Sequence, residues 1–288
     1  MITTEIDKYK IRSSFSKAAL HYDIFASLQK QVAEELVNKL SAISQQPSAI
    51  KILDIGCGTG FLTHSLAKML PKANIFGCDI AHPMLKMTNA KRKGKKIHLL
   101  TADGEIVPCK NEAFDMVASN LTYQWLPDLD TAFSEAHRVL RPGGIFTFST
   151  LGPETLKELQ YCYAEASAKF NKNGLPPFMS FLEKEAIQSA LEGAGFKNIS
   201  IEITKMIKTY PDMWALLKTM KSIGAGNPFK DGDKSLGRGS ILKKMAEVYE
   251  RKFGVRSSEF KENSLLSLPI TYIYATYEVM FVRAVKLG

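Results

Sequence analysis

Lys51-Ile-Leu-Asp-Ile-Gly-Cys-Gly-Thr-Gly-Phe61 is the stretch on which the fold turns. A short, mostly apolar run from Ile50 to Ile55, interrupted by Lys51 and Asp54, collapses into Gly56, Gly58 and Gly60. Beyond the last glycine, Phe61, Leu62, Leu66, Ala67 and Leu70 recur at helical spacing. The pattern predicts a strand, a tight glycine turn and a helix, the opening unit of a nucleotide-binding α/β sheet. Glycine permits positive φ and a close backbone approach to a ligand, and the helix N-terminus behind it offers unpaired N–H groups.

The glycine spacing separates two kinds of ligand. A dinucleotide fingerprint has Gly-x-Gly-x-x-Gly, whereas here the glycines run Gly-x-Gly-x-Gly and the next residue is Phe61. A second strand, Asn74–Asp79, ends in an acid 19 residues after Gly60, where a carboxylate can grip a ribose diol. The glycine pattern resembles motif I of the class I S-adenosylmethionine methyltransferases. In that superfamily the loop holds the methionine end of the cofactor rather than a pyrophosphate.

Composition sets wide bounds. The chain of 288 residues is long enough for one large domain or for a domain with a substantial insertion. Its 45% hydrophobic and 23% charged residues are ordinary for a globular enzyme. No apolar run approaches the roughly 18 residues of a membrane span, and Met1–Ser16 is too polar for a signal peptide. Cys57, Cys78, Cys109 and Cys162 have no metal-ligand spacing, so reduced thiols and a cytoplasmic location are expected. The net charge of +9 favours an acidic partner, and the basic residues gather at Lys91–Lys96 and through Lys205–Lys261. A solvated basic surface is the alternative.

Along the chain, strand and helix patterns alternate as in a doubly wound, mostly parallel seven-stranded α/β sheet. Expected strands are Asn74–Asp79, Ile97–Thr101, Phe114–Ser119, Ile145–Leu151, Phe196–Ile207 and a last one near Ile270–Ala284 that runs antiparallel. Four parts are expected: a helical lid over 1–48, a core over 49–151, a helical insertion over 152–182, and the rest of the core over 183–288 with a helical cap at about 211–262. Arg141-Pro-Gly-Gly144 should form a turn before the fifth strand, and Gly174-Leu-Pro-Pro-Phe178 should break the first insertion. Asn120, Gln124 and Trp125 follow the fourth strand, at the carboxyl edge where crevice ligands sit.

The wider pattern resembles one methyltransferase family. Its marks are Phe15…His21-Tyr-Asp, Asn120…Gln124-Trp125, Phe148-Ser-Thr-Leu151…Leu159, Lys218-Thr-Met-Lys-Ser-Ile-Gly-Ala-Gly-Asn227 and Thr276-Tyr-Glu-Val279. Together they are similar to the malonyl-[acyl-carrier protein] O-methyltransferases of biotin synthesis, except that the region 255–273 is longer than usual. The resemblance implies S-adenosylmethionine as cofactor, held by Asp54, Gly56, Cys57, Gly58, Gly60, Asp79, Ile80, Met84, Asp103, Gly104 and Asn120. It implies Tyr22, Gln124 and Trp125 as the groups that orient the substrate, with Asp103 toward the adenine amino group and Met84 on the adenine face. Core packing is the alternative role for Tyr22, and also for Met84 or Leu85. The substrate implied is malonyl-acyl carrier protein or malonyl-coenzyme A, with Lys218, Lys221, Lys230, Arg238, Lys243 and Lys244 as contacts for the acidic carrier. Alternatives are a quinone or small-acid methyltransferase on the same fold, and a cofactor-binding assembly factor or hydroxylase. An RNA methyltransferase is disfavoured, because Asn120 lacks the following prolines of an amino-methylation motif.

Overall fold

The computed structural model describes residues 7–40, 50–169, 181–225, 238–256 and 271–288. Lys230, Asn227, the Gly174–Phe178 break and most of 255–273 lie outside these residues. The described chain begins with three helices, α1 (Lys8–Ala18), α2 (Tyr22–Phe25) and α3 (Ser27–Lys39). The sheet and its helices follow as β1 (Lys51–Ile55), α4 (Phe61–Met69), β2 (Asn74–Asp79), α5 (His82–Ala90), β3 (Ile97–Thr101), β4 (Phe114–Asn120), α6 (Leu129–Val139) and β5 (Leu140–Leu151). The remainder is α7 (Lys157–Lys169), α8 (Lys184–Gly193), β6 (Lys197–Tyr210), α9 (Met213–Ser222), α10 (Arg238–Phe253), β7 (Gly254–Arg256) and β8 (Thr271–Val285).

Strand order is β3-β2-β1-β4-β5-β8-β6, with β7 paired to β8. Strands β1 to β5 pair in parallel, and β8 runs antiparallel between β5 and β6. The seven expected strands are therefore joined by a three-residue eighth, β7, which pairs Gly254 with Ile273 and Val255 with Tyr272. This strand starts where α10 stops. A Cβ on Gly254 would lie 2.3 Å from the Glu250 carbonyl oxygen, so glycine allows the chain to leave the helix straight into a strand.

Burial explains the central strands. Ile52, Leu53, Asp54 and Ile55 are all buried because helices cover both faces of a parallel sheet. The Arg141–Gly144 stretch is looped out of β5 rather than placed before it. Phe114 pairs with Leu140 and Met116 with Ile145, so four residues of β5 face the single residue Asp115. Arg141 pairs with that aspartate at 2.5 Å, which holds the loop over the edge of β4.

The expected cap is not a separate body among the described residues. Leu159, Cys162 and Ala166 of α7, Met213 and Leu216 of α9, and Met245, Val248 and Tyr249 of α10 belong to one buried cluster with Ile52 of β1 and Leu36 of α3. A second cluster, on the other sheet face, holds Leu53, Tyr123, Phe133, Phe146, Phe148 and Phe196. Chain order reverses between β1 and β4, and the crevice beyond their carboxyl ends is where α/β sheets bind ligands. All four cysteines are free thiols, three of them buried. Among the described residues no helix is long and apolar enough to cross a membrane.

Candidate functional site

A cavity of about 190 Å³ opens beyond β1 and β4, roofed by α1–α3 on one side and by α9 on the other. One end is built from the glycine loop and the ends of β2 and β3. Gly56, Gly58, Asp79, Ile80, Met84, Ala102, Asp103 and Gly104 line it. Gly56 has φ +68°, and a Cβ there would come within 2.2–2.7 Å of the Thr122 side chain. Gly58 has φ +54° and meets nothing within 4 Å, so its missing side chain leaves open space on the cavity wall. That space is a cradle for a ligand lying along the loop.

Two buried acids stand behind and beside this cradle. Asp79 accepts from the Gly58 amide at 2.9 Å and the Ala81 amide at 2.8 Å. Burial raises its pKa to about 6, against those two amides that favour the charged form. No cation pairs with it among the described residues, so its remaining acceptor capacity suits neutral donors such as a ribose diol. Asp54 is fully buried at the end of β1 and takes the Thr63 hydroxyl at 2.5 Å. Desolvation raises its pKa to about 7, and its Oδ1 has no partner. An orphaned buried carboxylate oxygen wants an ammonium group or a bound water. The donor set thus fits an ammonium- and ribose-bearing cofactor.

Not all eleven expected cofactor residues meet at the cavity. Gly56, Gly58, Asp79, Ile80, Met84, Asp103, Gly104 and Asn120 line it. Asp54, Cys57 and Gly60 are absent from its wall. The Cys57 thiol faces the sheet, with its Sγ 3.0 Å from where a Cβ on Gly77 would stand, and its amide bonds the Cys78 carbonyl at 2.9 Å. Gly60 is the left-handed cap of α4. Met84 is buried in a small cluster with Ala18, Ala19 and Ala81, against which Tyr22 also packs. Tyr22 therefore serves both readings, packing on the cluster and lining the cavity. Burial first, then Asp79 and Asp23, push its phenol pKa up, so it stays a proton donor.

The other expected orienting groups are more constrained. Trp125 lines the cavity with its ring set edge-to-face on Phe15 at 5.4 Å. Gln124 gives one amide hydrogen to the Leu121 carbonyl at 2.9 Å and accepts from the Thr150 hydroxyl at 3.3 Å, leaving one N–H to offer. Asn120 donates to the Gln29 carbonyl at 3.0 Å and accepts from the Ser149 hydroxyl at 2.9 Å. It lines the cavity, yet its amide mainly ties α3 to β4 and β5.

Several residues that line or brace the cavity were not legible as site residues. Lys8 of α1 bonds Asp103 at 2.6 Å and Glu105 at 2.5 Å, which pins the first helix over the end of β3. Asp23 of α2 takes the Thr59 hydroxyl at 2.6 Å and pairs with Lys91, fastening the lid to the glycine loop. Gly224, φ +73°, closes α9 so near the lid that a Cβ would sit 3.1–3.2 Å from Phe15. That approach explains the Ile-Gly-Ala motif physically: Ile223 and Ala225 line the cavity on either side of the contact. Gln160, Phe181, Tyr210 and Tyr277 complete the far end. Of the basic residues expected on the partner face, Lys218, Lys221, Lys243 and Lys244 are not part of the cavity lining. Lys218, Lys221 and Lys243 are exposed, Lys244 pairs with Glu247 at 2.5 Å, and the Arg238 side chain is not among those described.

Comparison with known proteins identifies the family and the fold. A family model described as "Methyltransferase domain" matches residues 53–148. A malonyl-[acyl-carrier protein] O-methyltransferase of Geobacter sulfurreducens is 35% identical over 251 residues, covering 86% of this chain and 93% of that protein. The biotin biosynthesis bifunctional protein BioHC of Saccharophagus degradans is 35% identical over 278 residues, covering 95% of this chain and 47% of the longer protein. In fold, the chain is similar to phosphoethanolamine N-methyltransferase 2 of Haemonchus contortus, solved with S-adenosyl-L-methionine. The TM-score is 0.52 at 17% identity, covering 88% of this chain and 53% of that one. The extent and identity of the first match place this chain in the malonyl-[acyl-carrier protein] O-methyltransferase family.

Proposed function

We infer that the protein transfers a methyl group from S-adenosylmethionine to the free carboxylate of a malonyl thioester carried on acyl carrier protein, giving the methyl ester. The observation that carries this reading beyond the family is the charge of the cavity wall. Among the described lining residues the only lysine or arginine is Lys8, and it is spent on Asp103 and Glu105. A carboxylate entering here meets neutral donors.

Neutral donors are what the chemistry needs. A malonyl carboxyl ionises near pH 4 or below, so at pH 7 it is already a nucleophile. A tight salt bridge would stabilise a charge that disappears in the transition state, lowering the gain from binding. Bound S-adenosylmethionine supplies a sulfonium methyl, an electrophilic carbon with a neutral thioether as leaving group. Gly56 and Gly58 cradle the methionine end of the cofactor, Asp79 takes the ribose hydroxyls, and Asp103 with Met84 borders the adenine. Asp54 balances the cofactor's ammonium from behind the loop. Tyr22, Trp125 and the spare N–H of Gln124 orient the carboxylate oxygen, a positioning task worth several kcal/mol. The Phe15–Trp125 contact sets the lid's aromatic edge against the reacting end of the cavity. The acidic carrier protein meets the basic face that includes Lys218, Lys221 and Lys243, and malonyl-coenzyme A is the smaller alternative substrate.

The test is transfer of labelled methyl to malonyl-carrier protein, with acetyl-carrier protein and malonyl-coenzyme A in parallel. An ester on the malonyl thioester and none on the acetyl form is the expected result. Label on neither malonyl thioester, from protein that binds the cofactor, would send the search to small acids and quinones.

A further inference from the structure

The far end of the cavity carries one hydroxyl proton that nothing above uses. Tyr210, the last residue of β6, and Tyr277 of β8 place their hydroxyl oxygens 3.0 Å apart, and both side chains line the cavity. Around them the wall is apolar, with Leu151, Leu156, Phe181, Met220 and Ile223. The other polar side chains at this end are largely committed. The Thr155 hydroxyl donates to the Glu278 carbonyl at 3.2 Å and accepts from the Glu278 amide at 3.1 Å. The Thr219 hydroxyl donates to the Ala215 carbonyl at 2.9 Å, and Gln160 donates to the Thr155 carbonyl at 3.0 Å.

Two phenols hold two protons, and their mutual hydrogen bond uses one. The second has no acceptor among the described residues. Burial pushes both phenol pKa values up, so neither proton is lost near neutral pH. A spare donor in an apolar wall costs free energy until an oxygen arrives to accept it. Donation along the pair also polarises the terminal hydroxyl.

We propose that the Tyr210–Tyr277 hydroxyl pair receives the thioester carbonyl oxygen of the substrate and thereby selects an acyl thioester whose carboxylate lies one methylene away. The inference rests on the function argued above. The malonyl group itself offers oxygens at two places. Its carboxylate belongs beside Tyr22 and Gln124, next to the reacting methyl. Its carbonyl is then the malonyl group's remaining acceptor, and the tyrosine pair offers the uncommitted hydroxyl proton. The cap end thus checks the length and the thioester character of the substrate, while the other end performs the transfer.

An analogue isolates that carbonyl. S-(2-carboxyethyl)-carrier protein keeps sulfur, chain length and carboxylate but has a methylene where malonyl has C=O. Equilibrium binding of the two carrier proteins to enzyme saturated with S-adenosylhomocysteine reads the contact without turnover. Wild type should bind the malonyl form about tenfold more tightly than the carboxyethyl form, as expected for one neutral hydrogen bond to a buried donor. In the double variant Tyr210→Phe/Tyr277→Phe that preference should fall to within twofold, with cofactor affinity unchanged as proof of folding, whereas either single variant still leaves one phenol proton to donate. If the double variant loses cofactor binding, the two single variants carry the test, and at least one of them must reduce the preference. A preference retained in full by folded variants overturns the inference and leaves the methylation reading standing. Failure of wild type to methylate malonyl-carrier protein overturns that reading first.

Discussion

At the cofactor end of the cavity, Ile55, Gly56, Gly58, Asp79, Ile80 and Met84 come from two consecutive strand–turn–helix units. At the cap end, Leu156, Tyr210, Ile223 and Tyr277 come from positions spread over more than a hundred residues of chain. The first end is polar, with buried acids and open backbone. The second is apolar, with a single uncommitted hydroxyl proton. Ligand recognition at the first end follows from local chain geometry, whereas at the second it depends on how the cap packs against β8. Mutations at the two ends should therefore separate cofactor binding from substrate selection.

The largest effect should come from Asp79→Asn. Losing a charged acceptor from two ribose hydroxyls should weaken cofactor binding about 30-fold, in the range of hydrogen bonds to charged groups. Calorimetric titration with S-adenosylhomocysteine measures it. If the cofactor Kd moves by less than threefold, the ribose does not lie on Asp79. Phe15→Ala strikes the element both ends share, because Phe15 packs on Trp125 and against Gly224. It should cost about 2 kcal/mol of stability and weaken both ligands, seen as a lower Tm and higher Kd for cofactor and carrier protein. An effect on one ligand alone would show that the lid serves only that end.

The cofactor end also predicts a pH dependence that the cap end lacks. The pKa values of Asp54 and Asp79 are raised to about 7 and about 6, so between about pH 4 and 7 the native state binds protons that the unfolded chain has released. Stability of the cofactor-free protein should then fall as pH rises through this window and level off above it. Thermal melts from pH 5 to 8 should show the decline, and Asp54→Asn should flatten it. A melt that instead rises steadily over that range contradicts the burial of these acids. The smallest effect belongs to the surface. Lys221→Glu and Lys243→Glu should raise KM for carrier-linked substrate a few-fold each, an effect that added salt reduces, while kcat stays unchanged.

The same contrast explains what could be read from sequence. Gly56, Gly58, Asp79, Asp103 and Met84 were legible as cavity residues because they stand at strand ends or in the turns and helix just after them, where the fold signal is local. Asp54 and Cys57 sit in the glycine motif but turn away from the cavity: Asp54 bonds Thr63 of α4, and the Cys57 thiol packs on Gly77 of β2. Gly224 stood out in sequence as part of a family pattern, and its physical role appears only where α9 meets Phe15. Lys8 and Gln160 gave no signal. Each is an ordinary polar residue on a helix until tertiary packing brings it to the cavity. Tyr277 stood in the Thr276–Val279 family pattern without a physical role, because its partner Tyr210 is 67 residues away. A hydrogen bond between such residues is a property of the sheet order, not of local spacing. The looped-out Arg141–Gly144 and the short β7 escaped for a related reason: each is set by register against a neighbouring strand.

The central claim is that this site positions an already ionised carboxylate with neutral donors and removes no proton. The direct measurement is kcat against pH, from about 6.5 to 8.5, with cofactor and malonyl-carrier protein both saturating. A flat profile is predicted, because the malonyl carboxyl is ionised throughout and burial keeps Tyr22 protonated. A rise of tenfold per pH unit through part of that range would reveal a group that must lose its proton, and would contradict the account.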